Sequence, residues 1–500
     1  MSILIKSAHK VIGLPGGAIG DDLDILIEDN RIAAIGKDLI FEQSRQPSML
    51  VIDGRQRLVF PGLVNAHAHS NESFEQGLSQ RLPLELWRLR TYAAAPALTE
   101  QDYYMRALFF GMASLRAGVT TVQDDVINLA STPASVDGAC RAYRDLGLRA
   151  WVTTSVGDRG LAESHAFLQT DDSASLAISA DAQMALFFRN RERWHGAENG
   201  RIQINLGPRG PQRCSPGLLT QIGEAAERTG CAIHMHVLET RGQAVMAQQE
   251  YGRSAIAHLQ DIGLTTPRLT INHGIWLSDA DIDILASNDC RVTHNPSSNL
   301  KLGSGICRVR DLLSAGIKVG LGTDGLATSD TADMLSIVRL AALLHSVQSP
   351  DYGRWISAQE ALQMATIGGA ATGLQDAGQG VIGAGFKADI LLLDRHHSAF
   401  IPLNDPVAQL AFSASSDAVQ SVIVDGRLVM HERRITSVNE SEALGMIAEA
   451  AERWRRDVAP AALAYADELM PAMAASYRRS MEAFETEPWA RPLRSARANT

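Results

Sequence analysis

Five side chains that can bind a metal lie at the carboxyl ends of predicted strands that are far apart in the sequence. His67 and His69 stand two positions apart, so the pleat of one strand directs both to the same side. The others each end a strand of their own: His236, His273 and Asp324. Neutral imidazoles with a carboxylate suit a borderline divalent cation such as Zn²⁺ or Fe²⁺, and an open position for water makes such a site catalytic. The pattern therefore predicts a catalytic metal site.

Alternating strands and helices must position these side chains. Helical periodicity in segments such as Gln101–Arg116, Pro216–Thr229 and Asp279–Ser287 separates eight apolar stretches. The predicted strands are Leu63–His69, Val119–Asp125, Arg149–Ser155, Gln203–Arg209, Ala232–Glu239, Arg268–Gly274, Cys290–Pro296 and Lys318–Asp324. Eight strand–helix units favour a closed (β/α)8 TIM barrel of the α/β class over an open, doubly wound sheet. In such a barrel the chemistry lies at the carboxyl ends of the strands.

Both ends of the chain have a different pattern from the barrel at 61–382. Residues 1–60 and 383–440 contain short strands separated by turn residues, among them the hairpin signal Asp425–Gly426. We expect these two pieces to form one small β-sandwich domain. Residues 441–500 are predicted to be a helical extension, interrupted near Pro460, followed by a frayed tail.

Composition excludes several classes of protein. A formal charge of −10 over 500 residues argues against binding a phosphate backbone. No apolar run approaches the roughly 20 residues of a membrane span, and the first residues do not resemble a secretory signal. Five cysteines without CxxC spacing suggest neither a disulfide framework nor a cysteine-type zinc site. We expect a cytoplasmic homodimer that acts on a small molecule and has no nucleic acid or membrane partner.

Five motifs in order resemble the amidohydrolase superfamily, in its branch of aminohydrolases and triazine hydrolases, which includes cytosine deaminase-like and chlorohydrolase-like proteins. They are PGLVNAHAHS at 61–70, HVLET at 236–240, INHGIWL at 271–277, HNPSSNLKLGSG at 294–305 and LGTDGLATSD at 321–330. The resemblance implies one metal ion held by His67, His69, His236 and Asp324, with zinc favoured and iron the alternative. A binuclear relative would carry a bridging lysine in the fourth strand, which here is QINLGPR without lysine.

The resemblance also implies roles for the catalytic partners. Asp324 would take a proton from the attacking water, and Glu239 would protonate the substrate ring, as the separate acid/base glutamate of zinc deaminases does. His273 would orient the water or stabilise the adduct. The alternative for Glu239 is an acid at a helix start, favoured by the helix dipole. His234 is interpreted as a core or supporting residue and not as a ligand.

The segment after the fourth strand bears on the substrate. Many adenosine-type deaminases of the family have a histidine there, whereas this chain has Arg209, which resembles the Pro-Arg segment of guanine deaminases. A guanidinium fork suits a ring carbonyl, so the hypothesis is an oxo- and amino-substituted heterocycle of guanine, pterin or pyrimidine type that loses ammonia. By resemblance His294 lies near the substrate, and Trp87 either walls the pocket or packs a helix. The alternatives are a triazine chlorohydrolase or alkylamino-hydrolase, and an inactive scaffold of the same fold.

Overall fold

Two sheets organise the chain, and the computed structural model describes residues 2–39, 49–170, 178–375, 378–491 and 493 of it. The strands of the first sheet's amino-terminal part are β1 Ser2–Ile12, β2 Ile19–Glu28, β3 Arg31–Gly36, β4 Leu50–Asp53 and β5 Arg57–Pro61. The barrel strands are β6 Leu63–Ala68, β7 Val119–Asp124, β8 Arg149–Val156, β9 Ile202–Pro208, β10 Ile233–Val237, β11 Leu269–His273, β12 Arg291–His294 and β13 Lys318–Leu321. The remaining strands are β14 Ile390–Asp394, β15 Val419–Val424, β16 Arg427–His431 and β17 Arg434–Ile435.

Helices separate the barrel strands and extend the carboxyl end. Those before residue 262 are α1 Leu84–Tyr92, α2 Glu100–Arg116, α3 Ala134–Leu146, α4 Ala180–Trp194, α5 Ala197–Gly200, α6 Pro216–Thr229, α7 Arg241–Tyr251 and α8 Ala255–Asp261. Those that follow are α9 Asp279–Ser287, α10 Pro296–Lys301, α11 Val309–Ser314, α12 Leu326–Ser329, α13 Met334–Leu344, α14 Ala358–Met364, α15 Ile367–Thr372, α16 Pro406–Phe412, α17 Glu440–Asp457 and α18 Ala459–Thr486.

The eight parallel strands β6 to β13 pair in sequence order and form the predicted barrel. Its first and last strands are joined through a side chain: Asn65 Oδ1 accepts the Thr323 N–H at 3.0 Å, and Asn65 Nδ2 donates to Thr323 Oγ1 at 2.7 Å. The Asp324 N–H donates to the His67 carbonyl at 2.9 Å. This junction brings the end of β13 beside the two histidines of β6, so the barrel prediction is confirmed and the site residues converge.

Most barrel strands end one to three residues earlier than the sequence predicts. Leu238, His273 and Asp324 have φ of 53°, 71° and 63°, values in the left-handed region that leave the strand conformation. His67, His236 and His273 therefore lie in the last residues of strands, whereas His69, Glu239 and Asp324 follow strands at the start of loops.

Strands from both ends of the chain form one nine-stranded sheet. Its order is β17-β16-β15-β14-β5-β1-β2-β3, with β4 paired to β1. Asp425 and Gly426 make the β15–β16 turn with φ of 52° and 73°, as the predicted hairpin requires. The strands enclose a hydrophobic core of their own, built largely from isoleucines such as Ile3, Ile25 and Ile390.

The carboxyl-terminal helices pack on their own barrel. Helix α18 contacts α1 and α7, the Ser476 hydroxyl donates to the Ala166 carbonyl at 2.6 Å, and Phe484 stacks edge-on with Trp276 at 4.8 Å. The predicted frayed tail begins instead with a short turn, Pro488–Ala490, in which Ala490 is buried. Residues 492 and 494–500 of that tail lie outside the described residues.

Candidate active site

Four imidazoles and one carboxylate meet at the mouth of the barrel. His69 Nε2 lies 3.2 Å from His236 Nε2 and 3.4 Å from Asp324 Oδ1. His67 Nε2 lies 3.8 Å from the same Asp324 oxygen, and His273 Nε2 lies 3.8 Å from Asp324 Oδ2. The sequence predicted this convergence, and the structure brings all five residues together.

Two of these imidazoles are oriented by Asp125, which follows β7. His69 Nδ1 is 2.5 Å from the Asp125 carbonyl oxygen, which accepts only and therefore fixes the proton on Nδ1. The His236 Nδ1 lies 3.5 Å from the Asp125 carboxylate. Each ring thus turns Nε2 toward the centre of the group, as a metal-ligating histidine does.

His67 carries the clearest sign that a cation belongs here. Both of its ring nitrogens are buried and have no hydrogen-bond partner among the described residues. Burial and the neighbouring histidines lower its pKa well below the ordinary value, so the ring is neutral. A buried polar atom left unpaired is costly. Nitrogens of His67 and His69 with an oxygen of Asp324 stand within 4.8 Å of one another, a donor set that fits a borderline divalent ion.

His273 lies between the carboxylates of Asp324 and Glu239. Its Nδ1 is 2.9 Å from Asn299 Oδ1 and 3.9 Å from Glu239 Oε1, while its Nε2 faces Asp324. It also joins His67 and His236 in a second group of metal-competent atoms. The structure therefore places His273 where it can exchange protons with either acid or complete a ligand set.

Glu239 is held beside the group by the start of α7. The next residue, Thr240, caps that helix by accepting from the Gln243 N–H, and the Glu239 N–H donates to Gln243 Oε1 at 2.9 Å. Glu239 is buried, and burial raises the pKa of its carboxyl. Glu239 thus has the position at a helix start that its alternative interpretation requires. Its carboxyl group also faces His273.

A cleft of about 230 Å³ opens beside this group. It is lined by Arg209, whose Nη2 donates to the Gly157 carbonyl, and by Tyr92. Two predicted substrate contacts lie elsewhere. Trp87 is buried against Tyr92 with ring centroids 5.7 Å apart, and His294 Nε2 is 3.4 Å from His345 Nε2; neither lines the cleft. His234 is fully buried with a pKa lowered to about 3, and it belongs to none of the metal-competent groups, as interpreted from the sequence.

Residues 58–429 match the amidohydrolase family. The chain belongs to this family. The 5'-deoxyadenosine deaminase of Methanosarcina mazei is 31% identical over 453 residues, covering 90% of this amidohydrolase and 98% of the relative. The 5-methylthioadenosine/S-adenosylhomocysteine deaminase of Desulforudis audaxviator is 34% identical over 460 residues, covering 91% and 99%.

Solved structures agree with this assignment. The zinc complex of atrazine chlorohydrolase from Arthrobacter aurescens superposes with a TM-score of 0.82 at 28% identity, covering 90% of this amidohydrolase and all of that chain. An adenosine deaminase from Xanthomonas campestris with bound zinc has the same fold, with a TM-score of 0.80 at 24% identity and coverage of 91% and 98%. The predicted family, the TIM barrel and a hydrolase acting on carbon–nitrogen bonds are confirmed. None of the described helices is long and apolar enough to span a membrane.

Sequence reasoning missed several residues of this site. Asp125 was assigned only to a strand, although the pair Asp124–Asp125 at a barrel strand end was a usable signal. Glu72, three residues after His69, is buried, and a Cβ at Gly325 would overlap its carboxylate. Burial raises the pKa of Glu72 to about 8, and its carboxylate accepts the Tyr92 hydroxyl.

The face of α1 was the other missed signal. Residues 85, 88, 89 and 92 recur at helical spacing and all line the cleft. Because leucines surround them in LPLELWRL, the sequence indicates packing for this helix and predicts no role for Glu85 or Arg88.

Proposed function

We propose that this amidohydrolase is a mononuclear, zinc-dependent aminohydrolase that removes the amino group of a heteroaromatic ring as ammonia. His67, His69, His236 and Asp324 would hold the ion. The observation that carries the proposal is the buried, unpartnered imidazole of His67 within a group of imidazole nitrogens and one carboxylate. Relatives named as deaminases support the choice of leaving group.

When bound, the metal lowers the pKa of a coordinated water toward neutrality and so supplies hydroxide. Asp324 can accept the proton of the attacking water at Oδ2, because Oδ1 already accepts the Gly325 N–H at 2.8 Å. His273 Nε2 lies 3.8 Å from that Oδ2 and can take the proton onward. The neighbouring Asn299 oxygen occupies Nδ1, so Nε2 is the nitrogen that exchanges protons with Asp324.

Glu239 would protonate the ring nitrogen next to the attacked carbon. Burial raises the pKa of its carboxyl, which favours the protonated form that donation requires. Adding negative charge to the ring without this proton would be costly in a buried site. The expelled amino group then leaves as ammonia after taking the proton first held by Asp324.

Arg209 is proposed to contact an acceptor on the substrate ring. It lines the cleft, and its Nε is buried without a partner among the described residues. This supports the oxo-substituted heterocycle expected from the sequence. Neither Trp87 nor His294 lines the cleft. Trp87 is therefore proposed to support the cleft wall through Tyr92. His294 is proposed to act indirectly, through His345 and His273.

The cellular compartment and the oligomeric state are also proposals. The five cysteines are buried and form no disulfide among the described residues, which supports a reducing compartment such as the cytoplasm. A homodimer remains a prediction that sedimentation would test.

The deciding experiment combines metal analysis with product analysis. The purified protein is expected to contain one zinc per chain and to release ammonia from amino-substituted purines, pterins or pyrimidines. Glu239→Gln should keep the metal and lose about 10²–10⁴-fold in turnover, while the exposed Glu227→Gln on α6 should behave as wild type. Full activity of Glu239→Gln would refute its role. Chloride release from a chlorotriazine without ammonia from any amine would favour the dechlorination alternative.

A second experiment tests the substrate contact. Arg209→Met should raise KM for oxo-heterocycles more than for analogues that lack the oxo group, because only the former accept a hydrogen bond there. Equal KM values for wild type and variant on both sets of compounds would remove Arg209 from the substrate site.

A further inference from the structure

The cleft beside the metal-competent group has an unusual charge pattern. Four arginines line it, including a group of three: Arg88 from α1, and Arg209 and Arg213 from the segment after β9. Its other walls are largely apolar and include Leu89, Leu129, Tyr465 and Leu469. Apolar walls with a few converging polar groups are typical of a small-molecule site.

None of the three arginines is paired with a carboxylate among the described residues. Arg213 reaches two neutral partners, the Ser164 hydroxyl at 3.5 Å and His165 Nε2 at 3.2 Å. Arg88 lies over the Tyr92 ring at 5.1 Å, and Arg209 donates to a carbonyl. By contrast, Arg159 on the same cleft forms an ion pair with Glu250 at 2.7 Å.

The acids near the cleft are already occupied. Asp158 accepts the Ser215 N–H and the Ser215 hydroxyl, each at 2.6 Å. Glu85 accepts the Thr240 hydroxyl at 2.6 Å, and burial raises the pKa of its carboxyl. In the described part of the chain neither acid forms an ion pair with one of these three arginines, whose direct partners are neutral.

Burial makes these unpaired charges expensive. Burial and repulsion from Arg88 and Arg209 lower the pKa of Arg213 well below its ordinary range, and burial lowers the pKa of Arg209 to about 10. The simplest explanation for buried arginines with this energetic cost is a ligand that supplies the negative charge they lack.

Side-chain contacts connect the catalytic group with the wall of the cleft. Tyr92 lines it and donates its hydroxyl to Glu72, which packs against Gly325 beside Asp324. Glu85 lines it and accepts from Thr240, the neighbour of Glu239. The lining residues Tyr92 and Glu85 are thus each one contact away from a residue next to the catalytic group.

We propose that Arg88 and Arg213 bind a carboxylate substituent of the substrate, on the side of the ring away from the metal. This rests on the proposed function, whose substrate class it narrows to anionic amino-heterocycles. Planar guanidinium groups match a carboxylate in two-point hydrogen bonds. A monoanion fits better than a phosphate dianion, because Asp158 and Glu85 also face the cleft.

The test compares matched neutral and anionic probes. Guanine carrying an acetate group on ring nitrogen N9 is assayed for ammonia release against the corresponding acetamide. Wild type should prefer the acetate by about 30-fold in kcat/KM, within the range of a charge-assisted hydrogen-bond pair. Arg213→Gln and Arg88→Gln should each reduce this preference to less than about threefold, mainly by lowering kcat/KM for the acetate. The distant, exposed Arg228→Gln should keep the full preference.

A binding measurement separates this proposal from the proposed function. The hypoxanthine forms of both probes cannot be deaminated, so calorimetry reports recognition alone. Wild type should bind the acetate form about 30-fold more tightly than the acetamide form, and this result stands even if no compound releases ammonia. Equal affinities, or a preference that survives in both variants, would overturn the carboxylate site even if the enzyme deaminates. Tighter binding of the corresponding methylphosphonate would overturn the choice of a carboxylate.

Discussion

Arg149 offers a sharp test of how the barrel is joined to the second sheet. It lies at the start of barrel strand β8 and donates to Asp389 at 3.0 and 3.3 Å and to Asp425 at 2.8 Å. The three side chains are only 2%, 2% and 4% exposed. Asp389 also accepts the Asp425 N–H at 2.7 Å, so both carboxylates belong to one network.

Replacing Arg149 with Met leaves two buried carboxylates without their cation. Removing one partner of a buried ion pair typically costs about 3–5 kcal/mol, because the remaining charge stays desolvated. We expect a loss of that size in the free energy of unfolding, measured by urea titration followed by circular dichroism at pH 7. The loss should shrink as the pH falls through the carboxyl range, since protonation removes the uncompensated charge.

Two controls distinguish this cause from a loss of packing. Adding Asp389→Asn and Asp425→Asn to the Arg149→Met variant should recover most of the stability, because no unpaired charge remains. Arg455→Met, which breaks an exposed pair with Glu452, should leave the midpoint unchanged. A change of less than about 1 kcal/mol in Arg149→Met, or no recovery in the triple variant, would refute the reasoning.

Two further perturbations test the site and its surroundings. Asp125→Asn weakens the carboxylate that faces His236 Nδ1, so zinc affinity measured by chelator competition should fall about 10- to 100-fold, while the exposed Asp283→Asn should keep wild-type affinity. Unchanged affinity in Asp125→Asn would show that its carboxylate does not support the ligand. Burial lowers the pKa of Lys387 from 10.5 to about 8, so the unfolded chain binds more protons between these values and stability rises with pH there. Relative to Lys387→Met, wild type should gain about 1–2 kcal/mol from pH 8 to 10 after allowance for solvent screening, and parallel stability curves would contradict the assignment.

The sequence predicted the metal-competent residues well because geometry constrains them tightly. His67, His69, His236, His273 and Asp324 sit where parallel strands end, and all parallel strands end at one face of a barrel. Period-2 and period-3.6 patterns were therefore enough to bring together residues more than 200 positions apart. The hairpin at Asp425–Gly426 followed from the need for positive φ at both turn positions.

The substrate side was harder because its walls come from loops and helices. Trp87 and Arg88 are neighbours on α1, but a helix turns consecutive residues by about 100°, so one packs against Tyr92 while the other faces the cleft. His294 stands at a strand end like the ligands, yet it contacts His345 from α13's carboxyl end instead of the metal group. No local pattern specifies such choices, since they depend on which elements pack together.

Helix α18 offers a second place at which the substrate selectivity of this enzyme can be changed. Tyr465 and Leu469 belong to a single helix outside the barrel, yet they form part of the cleft wall. Substitutions along that helix can alter selectivity while the strands that carry the metal-competent residues stay intact. Substrate recognition and catalysis therefore depend on different segments of the chain. A library of variants confined to α18 can then change which compounds the enzyme accepts.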